Sequence, residues 1–505
     1  MPALPKNRWF VLLTVMLAFL PIVVDLTILH IAIPSLTQAL SATGTEVLWI
    51  IDIYPLVMAS LLIPMGTLAD RIGHRTLLAV GLTIFLLGSL AGAFSPNAEF
   101  LIGARAAMAV GSAMVMPCIL AIIRQTFEDD KERALALGLW GSVGSAGAAL
   151  GPLIGGAMLE HYWWGSVFLV NVPILLVVGP LVVLSAPHRP VGSQKGWTIG
   201  QALMLMAGLL ASVYALKSFA KPDASWALSG ALLLVGAALL AVFVVKQRRA
   251  ADPMLDVSLL SIPAIRVGVI MALVVMGALA GVELTLSQEL QFVLGQTPLE
   301  AGIYMLPLMV AAAVGGPLGG YLLGLAGLRW VASCSLLAAA IAVGSLGMAD
   351  LHDAGVEIIF MLAVLGLVLS IGLTASSVAI MSSAPIEKAG SAGALEATSY
   401  ELGTGFGITG FGIFLASVYM RAIEVPAAIA TQIPATASDS IGETFLAASR
   451  LPDDESAALI DAGKIAFMEA HGSLLVASAW VIAALALLVV LMLREPRPAE
   501  TLRDG

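Results

Sequence analysis

An all-α integral membrane fold of fourteen spanning helices, two six-helix halves plus two inserted helices, is predicted by three observations. Of 505 residues, 59% are apolar and only 11% are Asp, Glu, Lys or Arg, against about 45–50% and about 25% in soluble chains. Stretches of about 20 mostly apolar residues, the length that crosses a bilayer, recur along the whole chain. Finally, the Gly and Arg positions of Gly66–Arg75 return in Gly320–Arg329 at an offset of 254 residues, a weak internal repeat. This composition excludes a cytosolic enzyme, a disordered chain and a nucleic-acid binder, because too few polar residues exist to cover a water-facing surface.

The spans fall at 9–33, 46–66, 77–95, 100–123, 135–158, 166–186, 200–217, 227–246, 266–290, 300–324, 330–349, 356–381, 393–420 and 473–493. The first follows Lys6 and Arg8 but is too long for a signal-peptide core and carries Asp25 inside, so it reads as a retained helix. Residues 1–186 form one six-helix half, 187–262 the inserted pair with its loops, and 263–505 the second half. Only 421–472 is a long loop, with weak helical periodicity around Glu443–Leu446 and Ala457–Met468. Loop parity puts 18 of the 24 Lys and Arg on the side of the N-terminus, among them Arg71, Arg75, Arg124, Arg248, Arg249, Arg266, Arg329 and Lys388. Five, including Lys217 and Lys221, fall on the other side, and Arg105 lies inside a span. Both termini are therefore expected in the cytoplasm and loop 421–472 outside. That loop holds eight acids and three cations, much of the formal net charge of −9. Cys118 and Cys334 sit in apolar runs, and no disulfide framework is implied.

With so few charges in the membrane, each exception is a candidate functional group. An ionised carboxylate at mid-span costs on the order of 2.5–3.5 kcal/mol on insertion scales. Asp25, Glu283, Glu396 and Glu401 lie in spans, with Asp52 and Glu289 nearer an interface. Glu396 and Tyr400 are four apart and share a helix face, whereas Glu401 points about 140° away from Glu396. Arg105 requires a partner at its depth, Asp25 or a backbone carbonyl. His30 can titrate near neutral pH, and Trp49, Tyr54, Phe292, Tyr304 and Tyr400 offer aromatic faces for a cation or for packing. The only Gly-Lys, Gly463-Lys464, is followed by Ile465, so no phosphate-cradling loop powers a pump. The six His, at 30, 74, 161, 188, 352 and 471, are scattered, and no metal site is expected. Intramembrane hydrolysis by Asp25 with Glu396 lacks a nucleophile constellation.

Gly66-Thr-Leu-Ala-Asp70-Arg71-Ile-Gly73-His-Arg75 resembles the loop signature between helices two and three of the major facilitator superfamily. Gly147-Ala-Ala-Leu-Gly151-Pro152-Leu-Ile-Gly155-Gly156 resembles the superfamily's antiporter signature, and Val24–Pro34 the first-helix signature of its fourteen-span drug:proton antiporters, with His30 where Asn is usual. Leu101–Gly111 around Arg105 is similar to the fourth-helix motif, with Met108 and Ala109 in place of Gln and Gly. Phe168–Pro173, Trp163, Trp164, Leu48–Tyr54 and Asp252–Asp256 extend the similarity over the whole chain.

The resemblance implies a major facilitator fold and a secondary transporter, not an enzyme, in a bacterial inner membrane. It implies export of quaternary ammonium antiseptics, cationic dyes, viologens and biguanides in exchange for protons, with no cofactor beyond the proton gradient and a monomer in the lipid bilayer. Asp25 with Glu396 or Glu401 is the expected shared proton and cation site, supported by Glu283, Arg105, Tyr400 and Asp52. Gly66, Asp70, Arg71, Gly73 and Arg75 would latch the cytoplasmic side, and Gly147, Gly151, Pro152, Gly155 and Gly156 would allow helices to pack and slide. Export of an endogenous cation such as a polyamine, and proton-coupled import, are the alternatives.

Overall fold

A computed structural model describes residues 7–185, 199–219, 225–250, 253, 255–351, 355–385 and 388–493. Lys6, loop 188–195, Lys221, Asp252, Met254, His352 and the C-terminal tail, all used in the sequence reading, lie outside the described residues. The described chain is helical throughout and without strands. The first half comprises α1 (Arg8–Leu40), α2 (Gly44–Ile72), α3 (His74–Ala93), α4 (Ala98–Thr126), α5 (Asp130–His161), the short α6 (Ser166–Leu169) and α7 (Asn171–Ser185). The inserted pair is α8 (Ile199–Phe219) and α9 (Trp226–Arg249). The second half comprises α10 (Pro263–Gln288), α11 (Pro298–Met348), α12 (Val356–Met381), α13 (Ala389–Ala422) and α15 (Asp453–Met492), with α14 (Ile441–Ala448) between the last two. Helix α11 breaks at Gly327 into two spans; with α6 and α7 as one span, the crossings number fourteen, in agreement with the hydropathy reading.

The 254-residue repeat is written into the helix ends. The side chains of Thr43 and Glu46 form a capping box at the start of α2, and Thr297 and Glu300 form the same box at the start of α11. Each box satisfies amides that have no partner in the first turn of a helix. At the other end of these helices, Gly73 (φ 96°) and Gly327 (φ 75°) both take positive φ, again 254 apart. A side chain would strain both turns, so glycine is required at the two junctions.

Within the first half α1 packs on α5 and α7, and α4 on α2 and α3; within the second, α11 packs on α12 and α15, and α10 on α12 and α13. The halves meet along α2 with α13, α5 with α11, and α1 with α10. The face holding residues 41–43 and 423–452 is called the loop face, and the opposite one the N-terminal face. Among the described residues, the hydrogen bonds between halves lie toward the loop face. Ser287 donates to the His30 carbonyl (2.8 Å), Gln291 to that of Ile31 (3.0 Å), and Thr297 to Glu160 (2.9 Å). The bundle is thus closed at the loop face.

Two expectations are corrected. The last helix begins at Asp453, well before the expected 473, because Pro452 followed by Asp453, Asp454 and Glu455 makes an acid-rich start that suits the positive end of a helix dipole. And Lys217 is no loop residue: it lies within α8 and is 3% exposed. The inserted helices form a hairpin crossing at Gly208 and Gly236, where a Cβ on Gly236 would meet the Gly208 carbonyl oxygen at 2.9 Å. Its ends are tied by Gln247 donating to Gln201 (2.6 Å) and Ser229 to Ser218 (2.8 Å). Helix α8 lies on α2, and α9 presents Leu228, Leu234, Val235 and Val242 outward, as a lipid-facing helix does.

Candidate functional site

In the first half, Asp25 of α1 is fully buried and forms an ion pair with Arg105 of α4. Asn171 of α7 donates to Asp25 (3.4 Å) and to Ser89 (3.2 Å). The Arg105 Nε donates to the Ile50 carbonyl (3.3 Å), and its guanidinium lies 4.5 Å from the Tyr54 ring centroid. The Tyr54 hydroxyl in turn shares a 2.5 Å hydrogen bond with Ser112. Arg105 thus has both of the partners its depth demanded. A charge pair out of water survives only where its remaining polar atoms are also bonded, and Ile50 of α2 and Asn171 of α7 supply such bonds.

Glu396 and Glu401 on α13 make no hydrogen bond to Asp25 among the described residues. Glu396 accepts a 2.8 Å hydrogen bond from Tyr400, as their spacing suggested, and Tyr400 reaches toward Ser376 and Ser377 of α12. Glu401 belongs to a different stripe, with Gly405, Thr409 and Gly412, directed at α2. Added Cβ atoms at Gly405 and Gly412 would meet Leu56 and Leu48, and Thr409 donates to Asp52 (2.5 Å). One turn beyond Gly405, Glu401 is half-buried with no hydrogen-bond or ion-pair partner among the described residues, and within electrostatic range of Tyr54. Tyr54 therefore lies between the Asp25–Arg105 cluster and the free carboxylate.

Other membrane charges are paired. The Glu283 carboxylate of α10 lies 3.3 Å from Nδ1 of His30 on α1, bridging the halves. Glu289 contacts His471 of α15, whose other ring nitrogen meets Thr285 (3.0 Å). Asp52 pairs with Lys217 at 2.6 Å, and that ammonium lies 4.1 Å from the Trp49 ring centroid. Trp49 and Tyr54 do present faces to cations, but to Lys217 and Arg105 of the chain itself. Sequence reasoning passed over Lys217, Thr409 and His471. The available signal for Lys217 was its position as the only cation of the apolar stretch 199–219.

The switching motifs divide between the halves. Added Cβ atoms at Gly147, Gly151 and Gly155 of α5 would run into Val23, Thr27 and Ile28 of α1, so this small-residue face is the α1 seam. Gly156 faces α11 instead: a Cβ there would lie 2.5 Å from Leu299 Cα. Pro152 also faces α11, its carbonyl oxygen 2.7 Å from a Cβ built on Gly302. At the N-terminal face Asp70 is half-exposed, 3.4 Å from His74 at the Gly73 turn, and Gly66 packs near Pro117. Ile72 beside Arg71 is exposed there, and Arg75 lies in the first turn of α3.

Two repeat-related helical halves that close on one face, with acids along the seam, make a secondary transporter, a multi-pass membrane protein that carries a solute and does not transform it. The chain belongs to the Major Facilitator Superfamily, whose family model matches residues 15–408. It is 44% identical over 465 residues to the methyl viologen resistance protein SmvA of Salmonella typhimurium, covering 92% of this chain and 94% of that one. It is 35% identical to the multidrug efflux pump LfrA of Mycolicibacterium smegmatis, over 97% of both chains. Among solved structures, a bacterial homologue of the human lysosomal transporter Spinster, in an inward-facing and occupied conformation, superposes with a TM-score of 0.68. That match, at 18% identity, covers 98% of this chain and all of the other. The organisation of the family and its bacterial relatives places the protein in the inner membrane.

Proposed function

We propose that this transporter exports lipophilic organic cations in exchange for protons, with both termini in the cytoplasm and the loop face outside. The observation that carries the reading is Glu401, a half-buried acid with no hydrogen-bond or ion-pair partner among the described residues, on the α13 stripe that faces α2. An acid in that setting is neutralised by a proton or by a cation, and each excludes the other. Competition of this kind couples outward movement of a cation to inward movement of protons. Tyr400 adds aromatic surface beside Glu396. Glu396 is a second exchangeable acid, and the Asp25–Arg105 pair responds through Tyr54 to charge at Glu401. The names of SmvA and LfrA support efflux of toxic compounds, and methyl viologen is itself an organic dication.

The test uses inverted membrane vesicles with an acidic lumen and labelled methyl viologen. Uptake that collapses with a protonophore, and that falls at least about tenfold in Glu401→Gln, corresponding to roughly 1.4 kcal/mol, is the expected result. Uptake indifferent to both the protonophore and the substitution would overturn the proposal. Uptake of neutral compounds to the exclusion of cations would also overturn it.

A further inference from the structure

Lys217 occupies a place where three bodies of the protein meet. Helix α2 of the first half and α13 of the second run antiparallel with matched register: Leu48 opposite Gly412, Asp52 opposite Thr409, and Leu56 opposite Gly405. Small residues on α13 let the two backbones approach, and Asp52 is the carboxylate that α2 contributes opposite Thr409. Its Oδ2 receives the Thr409 hydroxyl from the second half (2.5 Å) and the Lys217 ammonium from the inserted helix α8 (2.6 Å). The Lys217 side chain is 2% exposed and that of Asp52 is fully buried. Trp49, one turn before Asp52 on α2, covers the ammonium at 4.1 Å and is itself backed by Tyr214 of α8. Lys217 also lines a cavity of about 400 Å³ at the loop face, bounded by Thr37, Leu48, Phe292, Gly412 and Tyr419.

We infer that Lys217 is a tethered counter-cation by which the inserted helix α8 keeps α2 and α13 together and so holds the loop face shut. A buried ion pair contributes little net stability compared with apolar residues of the same size, because both charges lose their hydration. Its effect is on which arrangement is adopted. With Lys217 in place, the Asp52 carboxyl has a cation beside it in the seam and accepts from Thr409 across the halves. Without it, the carboxyl is left buried with no counter-charge, and parting of α2 and α13, which admits water from the adjoining cavity, relieves that burial. The clasp is releasable: Asp52 Oδ1 has no hydrogen-bond partner among the described residues, so separation of the helices hydrates an atom that closure leaves unsatisfied. Lys217 is thus a positioning residue and the inserted pair a working part of the gate. This inference depends on the two halves moving against each other and not on what is carried.

The experiment measures the distance between spin labels on cysteines replacing Glu99 and Arg421, which are exposed at the loop face of the first and second half. It uses the full-length protein in lipid nanodiscs with Cys118→Ala and Cys334→Ala. Lys217→Met is expected to enrich a longer-distance population about tenfold, and Asp52→Asn combined with Lys217→Met to return the parent distribution. The inference is overturned if Lys217→Met keeps the parent distribution, or if the double substitution is no closer to the parent than the single one. Should Lys217→Met not reach the membrane, Thr409→Val, which removes the inter-half bond and leaves the ion pair, carries the test. A shift to longer distances supports the clasp, and an unchanged distribution overturns it. A different cargo class would refute the proposed function and leave these distances as they are.

Discussion

Replacing Gly156 by Ala should act on the transport cycle and leave the first half intact. A Cβ at this position would lie 2.5 Å from Leu299 Cα, 2.8 Å from Leu299 N and 2.8 Å from the Pro298 carbonyl oxygen. All three are backbone atoms at the capped start of α11, so no rotamer change relieves the clash. Overpacking of this kind costs about 1–3 kcal/mol. Because Leu299 belongs to the opposite half, that cost applies only while the loop face is closed. At 1.36 kcal/mol per factor of ten, the closed population should fall relative to the open one by about 5- to 160-fold. Gly151→Ala is the control: its Cβ would meet Thr27 and Ile28 of α1, within one half, and should lower thermal stability in every state. The Glu99/Arg421 label pair reads the first effect, and thermal unfolding in detergent reads the second. An unchanged distance distribution in Gly156→Ala, or an equal shift in Gly151→Ala, would refute the assignment of Gly156 to the moving seam.

Asp25→Asn leaves Arg105 buried with its charge uncompensated, and should cost about 3–5 kcal/mol. The loss is expected as a lower melting temperature, recovered in part by Asp25→Asn with Arg105→Met; equal stability of the single variant and the parent would show that the pair is dispensable. Outside the membrane, Asp256 accepts from Lys388 at 2.8 Å and from Ser258 at 3.0 Å. Partial burial pushes the Asp256 carboxyl up, but the hydrogen bonds of Lys388 and Ser258 and the Lys388 charge outweigh it and hold the acid below its ordinary value. Its contribution is therefore complete above the unfolded-state value and is lost as the pH falls through the folded one. Since Lys388 is partly exposed, Lys388→Ala should cost only about 0.2–1 kcal/mol at neutral pH. That difference should vanish in acid below the aspartate range; a difference that instead grows in acid would contradict the sign.

Hydropathy made the spans legible because bilayer thickness dictates their length whatever the packing. The Arg105–Asp25 pair was legible for a related reason: one cation and one mid-span acid within a half leave few ways to pair. Register between helices distant in sequence left no such trace. Nothing in a one-dimensional pattern sets Asp52 opposite Thr409, 357 residues later, or joins His30 to Glu283. Lys217 closes the expected span 200–217 and counts with the cations of the far side, and a span's end and a buried site look alike when depth is the only coordinate. Glu401 and Glu396 were separable from sequence by helix angle alone. Which of the two faces α2 depended on the Gly405 and Gly412 contacts.

Helix α15 has 40 residues, and at 1.5 Å each it is about 60 Å long, roughly twice the hydrocarbon thickness. Its outer portion therefore stands clear of the membrane as a rigid mast continuous with the second half. Helix α14 packs on that mast, and Tyr419 is tied to Thr444 (2.6 Å), while Ser440 and Gly442 rest on Gly44 and Thr37 of the first half. Among the described residues, the Tyr419–Thr444 bond ties this segment to the second half. In a cycle in which the halves swing apart at the loop face, a segment tied to the mast moves with the second half, so the covering of that face is displaced by the same motion that opens it.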